Sequence, residues 1–388
     1  MLTLHDVSIA NKRVVVRVDF NVPILEGSVS NEERLKATIP TIEYCHSRNA
    51  EIVLLSHLGR PKGRIKPELS LRPVARRLEQ LIGRSVEFIE NTNDYFHSLP
   101  NAETIVPGKI SLLENLRFNP GEEANSKVFG GKLGTIGDVY VFEAFATAHR
   151  AHASTYEAIK AAPVSVAGLL FAQEIETLSN VMQTPSRPLV AVVGGAKVSG
   201  KLELLERLGK IADTLLIGGG IANTLLLAQG WQVGQSLVEK ELVATAQRFA
   251  TTTSIELPVD VMVCDEIAPM KNALFRLLDQ VAENDMIVDI GPETGRRFAR
   301  FISNAGTVLW NGPMGVFEID QFGEGTRVIA EAVGSCDGFS VIGGGETVAA
   351  ISKYTAKHIF DYTSTGGGAF LEFIEGRQFP AIEALSAN

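Results

Sequence analysis

The chain lacks the marks of several protein classes. It has only three cysteines in 388 residues, Cys45, Cys264 and Cys336, far apart and without metal-type spacing. That excludes a disulfide framework or a cysteine metal centre and leaves reduced, buried thiols as the default. No apolar run reaches the roughly 18 residues of a membrane-spanning helix. The start, MLTLHDVSIANKR, has no basic segment followed by an apolar core, so no targeting peptide is expected. The expected setting is cytoplasmic, with no membrane partner. Neither G-x-S-x-G nor H-E-x-x-H occurs, so hydrolase and zinc-peptidase readings have little support. Positive charge is also in deficit: 36 Lys+Arg stand against 45 Asp+Glu, net −9. This excludes wholesale nucleic-acid binding.

What is present fits a globular protein: 45% hydrophobic and 21% charged residues. The length suggests two or three domains. Charge is unevenly spread. Residues 1–120 carry 16 Lys+Arg and 14 Asp+Glu, the rest 20 and 31. Eight of the basic residues fall in 60–84. A local basic excess on an acidic chain suits a small anion better than a polyanion.

Short β-branched runs alternate with helical patterns. Val14–Val18, Ile52–Leu55, Val86–Ile89, Ile110–Leu113 and Val139–Phe142 read as strands. So do Leu189–Val193, Thr214–Ile217, Val259–Val263, Met286–Ile290, Thr307–Trp310 and Phe339–Ile342. Near-continuous apolar strands belong in parallel sheets covered by helices. Helical periodicity marks Arg34–Arg48, Leu71–Ile82 and Glu239–Thr251, and Gly168–Gln183 reads as a helix stopped by Thr-Pro-Ser-Arg-Pro at 184–188. The class is α/β, and eleven strands are too many for one ordinary core, so two sheets are expected.

Five strands of the second half run straight into glycine: VVGGAK (192–197), LIGGGIAN (216–223), DIGPET (289–294), LWNGPMG (309–315) and VIGGGET (341–347). Strand C-termini share one edge of a parallel sheet. Glycine there lets backbone approach a ligand, and the next helix offers free N–H groups. Together the turns form a cradle of nucleotide size. Gly195–Leu202 nearly matches a phosphate loop, but Leu202 has no hydroxyl for Mg²⁺. Lys197 and Lys201 are spaced to share a helix face if a helix begins there. No G-x-G-x-x-G with a well-placed acid supports a dinucleotide dehydrogenase.

The first half concentrates polar residues past strand ends. Arg17, Asp19 and Asn21 alternate along a strand, and so point to one side. Arg34, Arg60, Arg117 and Arg150 could converge on a phosphate or carboxylate through forked N–H groups. His57, His149 and His152 lack supporting metal partners and read as anion contacts or satisfied structural histidines. One half thus offers basic forks and the other glycine turns, a combination that suits phosphoryl transfer. Another two-lobed phosphotransferase and a non-catalytic nucleotide-binding module stay open.

The motifs RVDFNVP (17–23), SHLGRPKG (56–63), LLENLRF (112–118), TAHRAHAS (147–154), GGAKV (194–198), LWNGPMGVFE (309–318) and STGGGAFLEF (364–373) resemble the phosphoglycerate kinase family in its bacterial form. The resemblance runs from about residue 4 to the C-terminus. It implies two Rossmann-like domains, each a mainly parallel sheet with helices on both faces. These would be 1–168 with 372–388, binding 3-phosphoglycerate, and 186–371, binding nucleotide, joined by a helix and hinge at 169–185. The implied reaction is reversible transfer from 1,3-bisphosphoglycerate to ADP by a cytoplasmic monomer using Mg²⁺ as Mg-ATP or Mg-ADP. The resemblance puts Asp19, Phe20, Asn21, Arg34, His57, Leu58, Gly59, Arg60, Arg117 and Arg150 at 3-phosphoglycerate. It puts Gly195, Ala196, Lys197, Lys201, Gly219, Gly220, Asn311, Pro313 and Glu318 at the nucleotide, with Glu318 at its ribose. Gly343, Gly344, Gly345, Glu346 and Thr347 would lie near phosphates and metal. Arg34 and Lys197 would flank the moving phosphoryl group, assisted by Lys201 and by N–H groups of Gly367 and Gly368. Three segments depart from the family pattern. Glu346 replaces an aspartate and is expected still to ligate Mg²⁺. Glu143-Ala-Phe-Ala146 replaces the family's common DAFG, and Ala146, in the glycine position, is expected to keep φ below zero. Asn223 stands where many members have an aromatic.

Overall fold

A computed structural model of the chain describes residues 1–98, 105–354 and 359–387. The chain packs as two compact units, residues 1–176 with 377–388, and residues 177–376.

The first unit is built on β1 (Arg13–Arg17), β2 (Glu51–Leu55), β3 (Glu87–Ile89), β4 (Ile110–Leu113), β5 (Val139–Phe142) and β6 (Ser165–Ala167). All pairings are parallel, in the order β3-β4-β2-β1-β5-β6. Every residue of β1, β2, β4 and β5 is buried, as continuous apolar runs require of a sheet covered on both faces. Helix α1 (Glu33–His46) packs Leu35 and Ile42 against this core, and α2 (Arg72–Ile82) packs Val74 and Leu78. The opposite face of α2 is solvated. Its Arg72 and Arg77 meet Glu90 and Glu32, and Arg84, just beyond it, meets Glu43. Three of the eight basic residues in 60–84 are therefore spent on surface ion pairs, each contributing little.

Two charges lie within the buried strands, and both are compensated. Arg13 pairs with Glu51 on the adjacent strand at 3.0 Å. Arg17 is fully buried, donating to the Ser154 hydroxyl at 2.7 Å and the Val18 carbonyl at 2.6 Å. β1 ends at Arg17. Asp19 and Asn21 therefore lie in the following turn, which corrects their expected alternation along one strand.

Helix α3 (Leu169–Gln183) begins in this unit and crosses the division at residues 176 and 177. Its start is held by Glu143, just past β5. The Glu143 carboxylate accepts the N–H groups of Leu170 and Phe171 at 3.1 and 3.0 Å, and the Thr41 hydroxyl of α1. Burial pushes its pKa up to about 6. The neighbouring Ala146 lies in a 3₁₀ turn, Phe145–Thr147, and is not among the residues with positive φ, as expected. The terminal helix, Pro380–Ser386, belongs to this unit, with Phe379 tilted 5.8 Å from Phe145.

The second unit holds β7 (Leu189–Val193), β8 (Thr214–Ile217), β9 (Ile255–Glu256), β10 (Asp260–Cys264), β11 (Leu274–Leu277), β12 (Met286–Ile290), β13 (Thr307–Asn311), β14 (Phe339–Ile342) and β15 (Tyr362–Thr363). A parallel sheet has the order β9-β8-β7-β13-β14-β15. A separate antiparallel sheet has the order β11-β10-β12. This corrects the reading of 259–263 and 286–290 as parallel strands. β10 pairs antiparallel with β12 on one side and with β11 on the other, and β11, LFRL, is a largely exposed edge. Consequently only four of the five glycine turns share the parallel edge. Gly291, of DIGPET, instead bonds back to the Asp260 carbonyl at 2.9 Å. Cys45 and Cys264 are buried, while Cys336 is half-buried, with Sγ 2.9 Å from the Ile302 carbonyl.

Glu143→Ala would leave three donors without their acceptor. We expect a loss of about 3 kcal/mol, read as a lowered urea midpoint for the first unit.

Candidate active site

In the first unit, four strand-following segments meet in a basic cluster. Asp19 accepts from Arg34 Nη1 at 2.7 Å and from the Asn21 N–H at 3.0 Å. The Asn21 carbonyl also accepts from Arg34, and its side chain accepts the Gly59 N–H at 2.9 Å. Gly59 O in turn accepts from Arg117 Nη1 at 2.8 Å. Phe20 is buried, its N–H on the Ser56 hydroxyl. Leu58 is buried and bonded through both backbone groups to Asn115. His57 lies 3.3 Å from Arg17, and Arg150 donates to His149 at 2.9 Å. Arg60 is exposed on the same loop. No ligand-type grouping of His, Cys, Asp and Glu for a metal occurs among the described residues.

The cluster is electrostatically one-sided. Burial, then Arg17, Arg117 and Arg34, hold His57 well below its ordinary value. Burial, then Arg117, Arg17 and Arg150, bring His152 to about 4. Both imidazoles are neutral near pH 7. Arg117 is 3% exposed, and burial followed by repulsion from Arg17 lowers its guanidinium to about 10. Its Nε and Nη2 have no hydrogen-bond partner, although Nε lies 3.6 Å from Glu123. Buried donors left open in this way are costly unless a ligand fills them. The substituent that fits is an anion.

Sequence reasoning missed what holds this cluster from beneath. Glu122 is fully buried and accepts both the Ser154 N–H and its hydroxyl, with Arg17 at 4.0 Å. Its single signal was the buried Arg17, which needed a counter-charge from somewhere.

In the second unit the four remaining glycine turns interlock. Gly194 donates to the Asn311 carbonyl, Gly218 to Val193, Gly219 to Met314 and Gly343 to Trp310. The spacing leaves no room for side chains. A Cβ on Gly194 would lie 1.9 Å from the Pro313 carbonyl, and one on Gly219, at φ +64°, would lie 2.7 Å from Gly195 O.

Lys201 threads behind these turns. Its ammonium donates to Gly194 O at 2.5 Å and to Asn311 O at 3.3 Å. Burial brings it down to about 8, opposed by Glu346. Helix α4 (Leu202–Ile211) starts only after it. Lys197 is exposed in the preceding loop. The expected shared helix face for the two lysines is thus corrected: one ammonium is internal, the other faces solvent.

A cavity of about 280 Å³ opens on the turns. Gly195, Ala196, Gly219, Gly220, Pro313, Glu318 and Glu346 line it. Its other wall comes from the antiparallel sheet, through Val261, Ile287, Val288 and Asp289. The sequence reading had brought the strand end at Asp289 to the cradle, but as a turn of the parallel sheet and not as the wall of a separate antiparallel one. Asn223 also lines the cavity and donates to Leu237 O at 3.4 Å. Asn311, Gly343 and Thr347 are buried behind the lining residues: Asn311 Nδ2 donates to Gly343 O at 2.7 Å and Thr347 Oγ1 accepts the Gly312 N–H at 2.7 Å. Gly344 and Gly345 open helix α8 (Gly345–Tyr354), while Gly367, with φ +55°, precedes the helix Gly368–Ile374.

An anion site of open arginine donors on one parallel α/β unit, and a glycine-walled cavity with a buried lysine on another, describe a two-unit phosphotransferase. The family model for phosphoglycerate kinase matches residues 4–377. A solved phosphoglycerate kinase from Coxiella burnetii is 43% identical, with TM-score 0.92, covering 100% of this chain and 99% of that one. One from Pyrococcus horikoshii is 31% identical, with TM-score 0.83, covering 100% and 98%. The chain belongs to the phosphoglycerate kinase family, and its activity is the glycolytic transfer of a phosphoryl group between 1,3-bisphosphoglycerate and ADP.

Two outcomes follow from the unfilled Arg117 and the desolvated Lys201. Arg117→Met should weaken 3-phosphoglycerate binding about 100-fold without lowering the thermal midpoint, because it removes a buried charge with open donors. Titration calorimetry and a melting curve check both. Lys201 is charged below its folded pKa of about 8 and loses the proton above it. The Michaelis constant for ADP should be nearly flat from pH 6 to 7.5, where Lys201 is mostly charged, and rise above 8 towards tenfold per pH unit. A constant that stays flat to pH 9.5 would assign the phosphate contact to another group.

Proposed function

We propose that the basic cluster of the first unit binds 3-phosphoglycerate and that the cavity of the second binds the nucleotide. The open Nε and Nη2 of buried Arg117 carry the first half of this reading. Arg150 and Arg60 add positive charge, and Asp19 with Asn21 holds Arg34 in place. Neutral His57, with Leu58 and Gly59, shapes the loop without contributing a titrating charge near pH 7.

In the reaction, an oxygen of the ADP β-phosphate attacks the acyl phosphorus. The new P–O bond forms as the bond to the carboxylate oxygen breaks, and the carboxylate leaves. No acid–base residue is required. Catalysis depends on positioning and neutralising charge on the moving group. Arg34 from the first unit and Lys197 from the second supply that charge. Lys201 acts from behind the turns, and the Gly367 and Gly368 N–H groups add donors. The reacting atoms must come to about 3–3.5 Å, so substrates on separate domains require closure about a helix and hinge at 169–185. Closure also keeps water from the acyl phosphate.

The nucleotide acts as its Mg²⁺ complex. Glu346 is an exposed carboxylate at the second position of α8 and lines the cavity. A single carboxylate suits Mg²⁺, which retains water and takes its other ligands from phosphates. Bound there, the ion would neutralise phosphate charge. We further propose a cytoplasmic monomer acting on small molecules. No helix among the described residues is long and apolar enough to cross a membrane.

Arg34→Ala and Lys197→Ala test the reading in a coupled assay with 3-phosphoglycerate and ATP. Each should lower kcat about 10²–10³-fold while ATP still binds. Turnover within threefold of the parent for either variant would remove that residue from the transfer step.

A further inference from the structure

Helix α8 touches the nucleotide loop at both of its ends. At the helix start, Thr347 Oγ1 accepts the Gly312 N–H at 2.7 Å and donates to Gly343 O at 2.9 Å. At its last turn, Lys353 Nζ donates to the Phe317 carbonyl at 2.7 Å and to the Glu318 carbonyl at 3.4 Å. Tyr354 donates a second hydrogen bond to Phe317 O at 3.1 Å. The segment between these anchors, 312–318, supplies Pro313, Met314, Gly315, Val316 and Glu318 to the cavity wall. Its middle is also fixed, with the Met314 N–H on the Thr326 hydroxyl and the Val316 N–H on Val288 O. The end that carries Glu318 is held by Lys353 and Tyr354.

Lys353 also pairs with Asp320 at 2.5 Å. Asp320 is 83% exposed there, so this pair by itself would contribute little. The hydrogen bonds to the two carbonyls matter more, because an ammonium donating to a backbone oxygen is a charge-assisted bond. It fixes the peptide from which the Glu318 side chain departs. A ten-residue helix is about 15 Å long. The same rigid element therefore carries Glu346, at the proposed phosphate end, and braces Glu318, at the proposed ribose end.

We propose that Lys353 is a positioning residue for the nucleotide, acting through Glu318. The inference rests on the reading that Glu318 binds the nucleotide, and the test separates the two. In the full chain, Lys353→Met should raise the KM for Mg-ATP about fivefold, with kcat and the KM for 3-phosphoglycerate within twofold. A general loss of folded enzyme would lower kcat instead. In a Glu318→Ala background, adding Lys353→Met should change the KM for Mg-ATP by less than twofold, because the group it positions is gone. Tyr354→Phe deletes only the second bond to Phe317 and should raise the same KM about twofold. It carries the test if Lys353→Met does not fold. An unchanged KM for Mg-ATP in Lys353→Met overturns the inference, or in Tyr354→Phe where that variant stands in. So do effects of Lys353→Met and Glu318→Ala that simply multiply. An unchanged KM in Glu318→Ala alone overturns the underlying reading of Glu318, and the inference with it.

Discussion

A strand buried on both faces cannot carry an unpaired charge along its length, because desolvating that charge costs more than the sheet gains. Polar chemistry is thereby displaced to the carboxyl end of each strand, where the chain turns and backbone donors become free. In the first unit, Arg17–Asn21, Ser56–Arg60, Asn115–Arg117 and Glu143–Arg150 all follow buried parallel strands. In the second, the turns at 194, 218, 312 and 343 do the same. The exceptions obey the constraint as well. Arg13 is paired across to the next strand, and Arg17 is enclosed by Ser154, Val18 O and Glu122.

The two units treat charge differently within this shared architecture. The first accumulates guanidiniums, which hold their charge despite burial, and burial together with the field they create keeps His57 and His152 neutral. A site of this kind is permanently positive near neutral pH. The second unit uses one buried ammonium, whose pKa falls to about 8, wrapped in carbonyl acceptors behind glycine turns. Its positive character is adjustable, because an arriving phosphate favours the charged form of Lys201. The first unit thus carries fixed charge and the second a responsive one, which suits the proposed division between the carboxylate-bearing substrate and the nucleotide phosphates.

Much of this was legible beforehand because it is local. Continuous apolar runs gave the parallel strands nearly to the residue, and Ile110–Leu113, Val139–Phe142 and Leu189–Val193 agree at both ends. Motifs located the arginines and glycines. What was hidden depends on pairing across long sequence separations. β10 and β12 pair antiparallel across some twenty residues of chain, and strand direction leaves no mark in their apolar runs. Glu122 lies in a polar stretch whose residues look solvated, yet it is fully buried beneath Arg17. The spacing of Lys197 and Lys201 suggested one helix face, but the glycine-rich segment before Leu202 delays the helix. Burying Lys201 under Gly194 and Asn311 is a tertiary outcome that no periodicity encodes.

The departures from the family pattern follow the same logic of local substitution within a fixed frame. Glu143 is a methylene longer than an aspartate, and its carboxylate reaches both N–H groups at the start of α3 and the hydroxyl of Thr41. The space is bounded by Gly168, where a Cβ would fall 2.0 Å from the carboxylate. A longer acid is therefore matched to a glycine opposite it, and the adjoining Ala146 is accommodated because its 3₁₀ turn keeps φ negative. The same segment places Phe145 against Phe171 of α3 and against Phe379 of the terminal segment, and continues two residues beyond Thr147 into His149 and Arg150. A single stretch after β5 thereby ties Arg150, the start of α3 and the chain's last segment into one packed cluster. Displacing any one of them would strain the other two, since close-packed side chains transmit strain instead of absorbing it.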